Sequence, residues 1–299
     1  MPSEAMVPAD KPLWRKIVDF PLVAMLIAAG VFILGVIAAL NIVRFLIPAV
    51  AGLDFQMKLY LVGIPILLAL YIFIITKLGE PKRNDFRDPK WARNLLLGLV
   101  GGAIIFSIAV AIAGALGIYR IVGIGSLDGL LAALIVPTVG AAVTEEIFFR
   151  GILFRWIEQF GGSWLALLLT SAFFGATHLG NPNATWIGAV GIAFEAGVML
   201  GAAYMLTRSL WLPMGIHAAW NFTQGEIYDI PVSGTEVHGI VDARLCCNPL
   251  LTGGGFGLEA SVIAMVVATA AGIWLLWRAI RKGELRNPMW AHRRTADAR

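Results

Sequence analysis

Apolar stretches about as long as a bilayer crossing recur along this chain, separated by short polar segments. A helix spanning the hydrocarbon needs about 20 mostly apolar residues. Such runs cover residues 20–48, 59–76, 95–118, 127–156, 163–180, 184–206, 210–228 and 258–280. The pattern predicts an all-α, polytopic membrane bundle of about eight transmembrane helices. The first run is long enough to tilt, or to place its last turn, near Arg44, at the interface.

Charge gives the bundle a direction. Of 23 lysines and arginines, all but Arg44, Lys58, Arg120 and Arg244 fall in segments that an even number of spans puts on the side of the N-terminus. Cytoplasmic loops carry the Lys/Arg excess, so both termini are expected in the cytoplasm. The chain then divides into an N-terminal segment, 1–19; three helices in 20–126; a four-helix core, 127–228; a non-cytoplasmic loop, 229–257; and a last helix with a basic tail, 258–299. The loop is rich in Gly and Pro and reads as a connector rather than a lid. Asp128 is expected to cap the fourth helix, in competition with Ser126.

Composition narrows the class further. The 299 residues are 59% hydrophobic and 14% charged, with a mean hydropathy of +0.80, which excludes an ordinary soluble domain. The first 19 residues lack the short apolar core and cleavage site of a signal peptide. Together with the absence of an organelle retention signal, this points to a multi-pass protein of the cell membrane, specifically a bacterial inner membrane. Cys246 and Cys247 are adjacent, so no framework of loop-closing disulfides exists, and no neighbouring Cys or His cluster suggests zinc there. The basic loop 77–93 suits anionic lipid rather than nucleic acid. His238 and His292 read as solvated.

Against this background the run Glu145-Glu146-Ile147-Phe148-Phe149-Arg150-Gly151 stands out, because residues 130–143 before it carry no charge. Ionisable groups at bilayer depth are costly and mark pathways, relays or catalytic sites. Residues four apart on a helix share a face, so Glu146 and Arg150 are expected to pair. Glu145 points about 100° away and keeps no built-in cation; in a poorly hydrated setting it is expected to titrate high, as suits a general base. His178 follows Phe174 by one turn, and Asn221 follows His217 by one turn. Each alone reads as an interhelical hydrogen bonder; with the glutamates they supply a base, imidazoles and donors for an oxyanion. Glu195, in the sixth run, reads as an interhelical hydrogen bonder, and Gly197 and Gly201 as a close helix approach. At 1.5 Å per residue, Glu145 and His178 lie about 20 Å from the cytoplasmic ends of their spans and His217 about 10 Å, so they meet only if helices tilt or the boundaries shift.

Glu-Glu-x-x-Phe-Arg-Gly at 145–151, Phe-x-x-x-His at 174–178 and His-x-x-x-Asn at 217–221, with the lead-in 209–217, resemble the CAAX-protease and bacteriocin-processing (CPBP, or Abi) family of intramembrane proteases. The likeness covers about 128 to 224. It implies a membrane endopeptidase related to type II CAAX prenyl endopeptidases, acting on a membrane-associated peptide or protein within the lipid bilayer. In that family's terms Glu145 and His178 would activate water, His217 and Asn221 would stabilise the oxyanion, and Glu146 with Arg150 would brace the site.

Glu145, His178 and His217 also have the composition of a catalytic His2Glu zinc site. That use of Glu145 leaves no base, since Glu146 is committed to Arg150, and the spacing is not His-Glu-x-x-His. A metal-free glutamate–histidine pair is therefore the expectation, with a divalent metal such as zinc as the alternative. The rival functional classes are a proton-coupled transporter using the same residues and a non-catalytic immunity or binding membrane protein.

Overall fold

A computed structural model of the chain describes residues 11–46, 53–79, 82–126 and 128–291. After a short turn of helix at Leu13–Val18, the bundle begins with α1 (Pro21–Phe45), α2 (Phe55–Lys77) and α3 (Trp91–Ala115). The continuous stretch Leu130–Gly180 is broken at Gly162 (φ 82°, ψ 171°). It therefore consists of two arms, α4 (130–161) and α5 (163–177). Then come α6 (Trp186–Thr207), α7 (211–227) and α8 (Val262–Arg281).

Among the described residues six helices, with Leu130–Gly180 as one, are long and apolar enough to cross a membrane. Within the described residues the apolar runs lie largely in helices; the break at Gly162 separates the fourth from the fifth, and α7 is shorter than the six. Large side chains such as Leu34, Phe73, Leu96, Ile104, Leu168 and Val266 face outward, as expected where lipid replaces water as the solvent. This is a multi-pass membrane protein.

The two ends of the bundle differ. At one, Phe160 stacks edge-on against both Phe20 and Trp290, so the N-terminal segment, the α4–α5 break and the C-terminal segment meet there. Arg15 donates to Lys77 O, and Arg208 bridges Glu158 and Glu284. The basic loop 82–90 plugs this end: Asp85, 1% exposed, accepts from Arg155 (2.7 Å), Arg83 (2.7 Å) and the Tyr71 hydroxyl (2.6 Å).

At the other end lies an element the hydropathy did not predict. β1 (Tyr119–Ile124) pairs antiparallel with β2 (Val241–Leu245). The segment between α7 and β2 is folded in rather than strung out. Asp229 accepts the N–H groups of Gly239 and Ala243, Gln224 donates to Pro231 O, and Glu259 accepts Ser233 N–H. Asp128 does not cap α4: its own N–H is taken by Ser126 Oγ, and Gly129, at φ 85°, turns the chain so that the helix begins at Leu130.

Small residues let the helices approach. A Cβ on Gly98 would lie 2.5 Å from Leu212 O, and one on Gly215 would lie 2.6 Å from Leu95 O, so α3 and α7 cross at backbone contact. Gly197 and Gly201 bring α6 against Ser171 and Leu167 of α5 in the same way.

Replacing Asp85 by Ala removes a carboxylate shared by two arginines, one of them buried. Loss of one member of a buried ion pair costs about 3–5 kcal/mol. Thermal unfolding in detergent should show a large fall in midpoint, whereas Lys90→Ala, at an exposed loop position, should leave it unchanged.

Candidate active site

α4 is not a regular α-helix. It widens into π-helical turns at Leu134–Gly140, around Pro137, and again at Ile147–Phe154. Proline has no N–H to give to the ladder, and π turns are concentrated at functional sites. Between the two lies the one α-helical segment, Ala141–Glu146, that presents both glutamates.

Glu146 is fully buried and pairs with Arg150, Oε1 to Nη1, at 2.9 Å, as the spacing predicts. The same oxygen also accepts from His217 Nδ1 at 3.0 Å. Arg150 in turn donates from Nη2 to the carbonyls of Ala196 and Gly197 at 3.3 Å each. One carboxylate thereby joins α4 to α7, and its arginine joins α4 to α6. Gly151, next in the motif, is where Tyr71 of α2 packs; a Cβ there would lie 2.8 Å from its ring.

Phe174 of α5 fills the centre. The Arg150 guanidinium lies 4.7 Å over its ring, His178 stacks at 4.7 Å, and His217 meets it edge-on at 6.3 Å. His178 ends α5, with Nδ1 2.8 Å from Phe174 O. A carbonyl only accepts, so Nδ1 carries the proton and a neutral His178 presents a lone pair at Nε2. His217, hydrogen-bonded at Nδ1 to a carboxylate, likewise has Nε2 as its free end. That atom is 4.0 Å from Glu145 Oε2.

Glu145 is less enclosed than the sequence suggests. Its side chain is 34% exposed, and among the described residues Oε2 has no hydrogen-bond partner. Asn221 donates to Pro137 O at 2.6 Å; an amide NH2 has two hydrogens, so one remains. Glu145, His178, His217 and Asn221 line a single cavity of about 620 Å³. They meet despite the unequal depths read from the sequence. Ser209 and Leu210 are buried and Leu210 N–H donates to Asp85 O, so α7 starts beneath the 82–90 loop and carries His217 deeper than counting from its end implies.

The cavity opens toward the end opposite the basic loops, past Asp54, Asp128, Asn181 and the segment 232–238. Residues of the 229–257 loop therefore roof the candidate site, which corrects the reading of that loop as a plain connector. His238 is exposed and lies at this mouth; His292 lies outside the described residues. A smaller opening of about 270 Å³ reaches Glu145 and His178 from the side, past Phe148, Phe149 and Thr177.

Behind the histidines is a chamber of about 30 Å³, lined in part by His178, His217, Trp220, Glu195 and Glu259, with room for a water or two. Both carboxyl groups are almost fully buried, and Glu195 Oε2 has no partner among the described residues, so the interhelical bond expected of it is not seen at that atom. Glu259 escaped notice because it sits at the margin of an apolar run with no motif around it. The second partner of Glu146 was also missed: an i, i+4 rule sees within a helix, not between helices.

Among the described residues, no group of three or more His, Cys, Asp or Glu side chains is arranged to hold a metal ion. Glu145, His178 and His217 share the cavity but are not drawn together around one point.

No curated protein and no solved structure matches the chain. Residues 127–223 match the family described as type II CAAX prenyl endopeptidase Rce1-like. That segment runs from the start of α4 into the last turn of α7 and contains all three motifs. Over that segment, about a third of the chain, the protein is similar to the type II CAAX prenyl endopeptidases.

Proposed function

We propose that the protein is an intramembrane endopeptidase that hydrolyses a peptide bond in a membrane-associated peptide or protein through a glutamate-activated water, without a metal. The observation that carries this reading is the convergence of Glu145, His178, His217 and Asn221 on one cavity, with Glu146 and Arg150 buried behind them.

The hydrogen bonds support a division of roles. His178, its Nδ1–H spent on Phe174 O, offers a lone pair to water from Nε2. Glu145, with an unpartnered oxygen, takes the proton as the water attacks the carbonyl, and later passes it to the leaving amine. For His217 to stabilise the oxyanion it must donate from Nε2 while Nδ1–H donates to Glu146, so it works as an imidazolium. The second Asn221 amide hydrogen completes the hole. Arg150 neutralises Glu146 and is not itself a reactant.

The mouth adds a preference for substrate. Asp54, Asp128, Glu226 and Glu236 line it with Glu145, and no lysine or arginine is among the described residues that do. Such a field draws cationic segments inward. With the basic end of the bundle in the cytoplasm, a bacterial inner-membrane protein of this design admits substrate from the outer face.

Three outcomes test this. Glu145→Gln and His178→Ala should each abolish cleavage in purified protein while leaving the unfolding midpoint near wild type, and comparative membrane proteomics against Glu145→Gln should reveal the uncleaved substrate. Normal turnover by Glu145→Gln would sink the mechanism. A chelator should leave turnover intact; loss restored by zinc would instead make Glu145, His178 and His217 ligands.

Glu146→Ala should behave differently from Glu145→Gln. It leaves Arg150 buried without its carboxylate, so stability should fall by about 3–5 kcal/mol along with activity, read by unfolding in detergent.

Peptides with Lys or Arg flanking the scissile bond should show a several-fold lower KM than acidic ones. Asp54→Asn with Glu236→Gln should erase that gap, and added salt should narrow it.

A further inference from the structure

The two cysteines play no part in the candidate site, and their placement is distinctive. Cys246 and Cys247 follow β2 directly, both are exposed, and their sulfurs are 2.8 Å apart. The backbone on either side is fixed. Cys246 N–H donates to Ile118 O, extending the β1–β2 ladder, and Asn248 accepts Leu250 N–H to cap the short helix Pro249–Thr252. Between these anchors Cys247 adopts φ 90°, a conformation that a side-chain-bearing residue rarely takes. That turn carries the second thiol back over the first.

The surroundings are cationic. Arg120 and Arg244 are direct cross-strand partners, an arrangement that like charges disfavour unless an anion shares it. The Arg120 guanidinium also reaches over Gly117, whose carbonyl accepts from Cys246 Sγ. The Arg120 charge favours the Cys247 thiolate, the form that attacks disulfides. The hydrogen bond with Cys246 outweighs it and pushes the Cys247 thiol up, which makes Cys247 the second to react.

We propose that Cys246 and Cys247 form a reversible redox site that closes into a vicinal disulfide on reaction with a small disulfide of the glutathione class. The Cys246 thiolate attacks one sulfur of the small disulfide, forming a mixed disulfide and releasing one small thiolate. Cys247 gives its proton to that thiolate, and its sulfur then displaces the second, which takes a proton from water. Two cysteines lose two electrons in all, and the small disulfide is reduced to two thiols. The pair lies at the end of the bundle opposite the basic loops, the end that the charge pattern puts outside the cytoplasm, where disulfides persist.

The chain has only two cysteines, so intact mass gives an unambiguous reading. Full-length protein in detergent, incubated with oxidised glutathione, should become lighter by the mass of two hydrogens and resist a maleimide. After dithiothreitol both sulfurs should take the label. Cys246→Ser under the same conditions should gain one glutathione adduct instead. Two glutathione adducts on the wild type, a covalent dimer, or an unchanged mass with both thiols still labelled would each overturn the proposal.

Discussion

The candidate site depends on one oxygen. Glu146 Oε1 accepts from Arg150 on its own helix and from His217 on α7, in an interior where water cannot make up a missing bond. Burying a carboxylate costs several kcal/mol that only an excellent partner offsets, and here two partners share the task. The consequence is geometric as much as energetic. With Nδ1 committed to Glu146, the His217 ring is fixed in orientation and its other nitrogen faces the cavity and Glu145. Arg150 then reaches α6, and Asn221 ties α7 back to Pro137 on α4.

Magnitudes separate what holds the bundle from what aims the site. Interhelical hydrogen bonds in membranes contribute about 0.6 kcal/mol each on average, too little for the bond from Asn221 to Pro137 O to decide the fold. Backbone-close crossings such as Gly98 on Gly215 hold α7 against α3, and the polar contacts select the orientation of side chains within that frame. The aromatic centre belongs to the same division. Phe174 meets Arg150, His178 and His217 on its ring, so a single apolar side chain sets the spacing of three polar ones.

Much of this was legible in the sequence, and the reason differs by element. Apolar runs of bilayer length became helices because lipid allows a spanning backbone few other choices. The Glu146–Arg150 pair followed from helical period alone. What escaped lies between elements. The second bond of Glu146 spans 71 positions, and no period encodes it. The β1–β2 ladder joins Tyr119 to Leu245, two segments that read separately as connections. The roof over the cavity was missed because it depends on Asp229 and Glu259 accepting backbone N–H groups at a distance. The shared depth of the three helices depended on α7 starting beneath a loop, which hydropathy does not register.

Access to the cavity follows from the asymmetry of the two ends. At the basic end Asp85, with Arg83, Arg155 and Tyr71, plugs the bundle, and Arg208 fastens Glu158 to Glu284. Nothing of that kind crosses the opposite mouth among the described residues: segment 232–238 lines the cavity without sealing it, and Glu145 keeps a third of its side chain exposed. The side opening past Phe148 and Phe149 leads to the same two residues, Glu145 and His178. One opening is polar and the other aromatic, so a segment leaving the lipid could reach Glu145 past the phenylalanines while its polar flank lies in the larger mouth. For the endopeptidase proposed above, a cavity closed toward the basic end and entered from two sides near Glu145 would suit a substrate that is partly in lipid and partly in water.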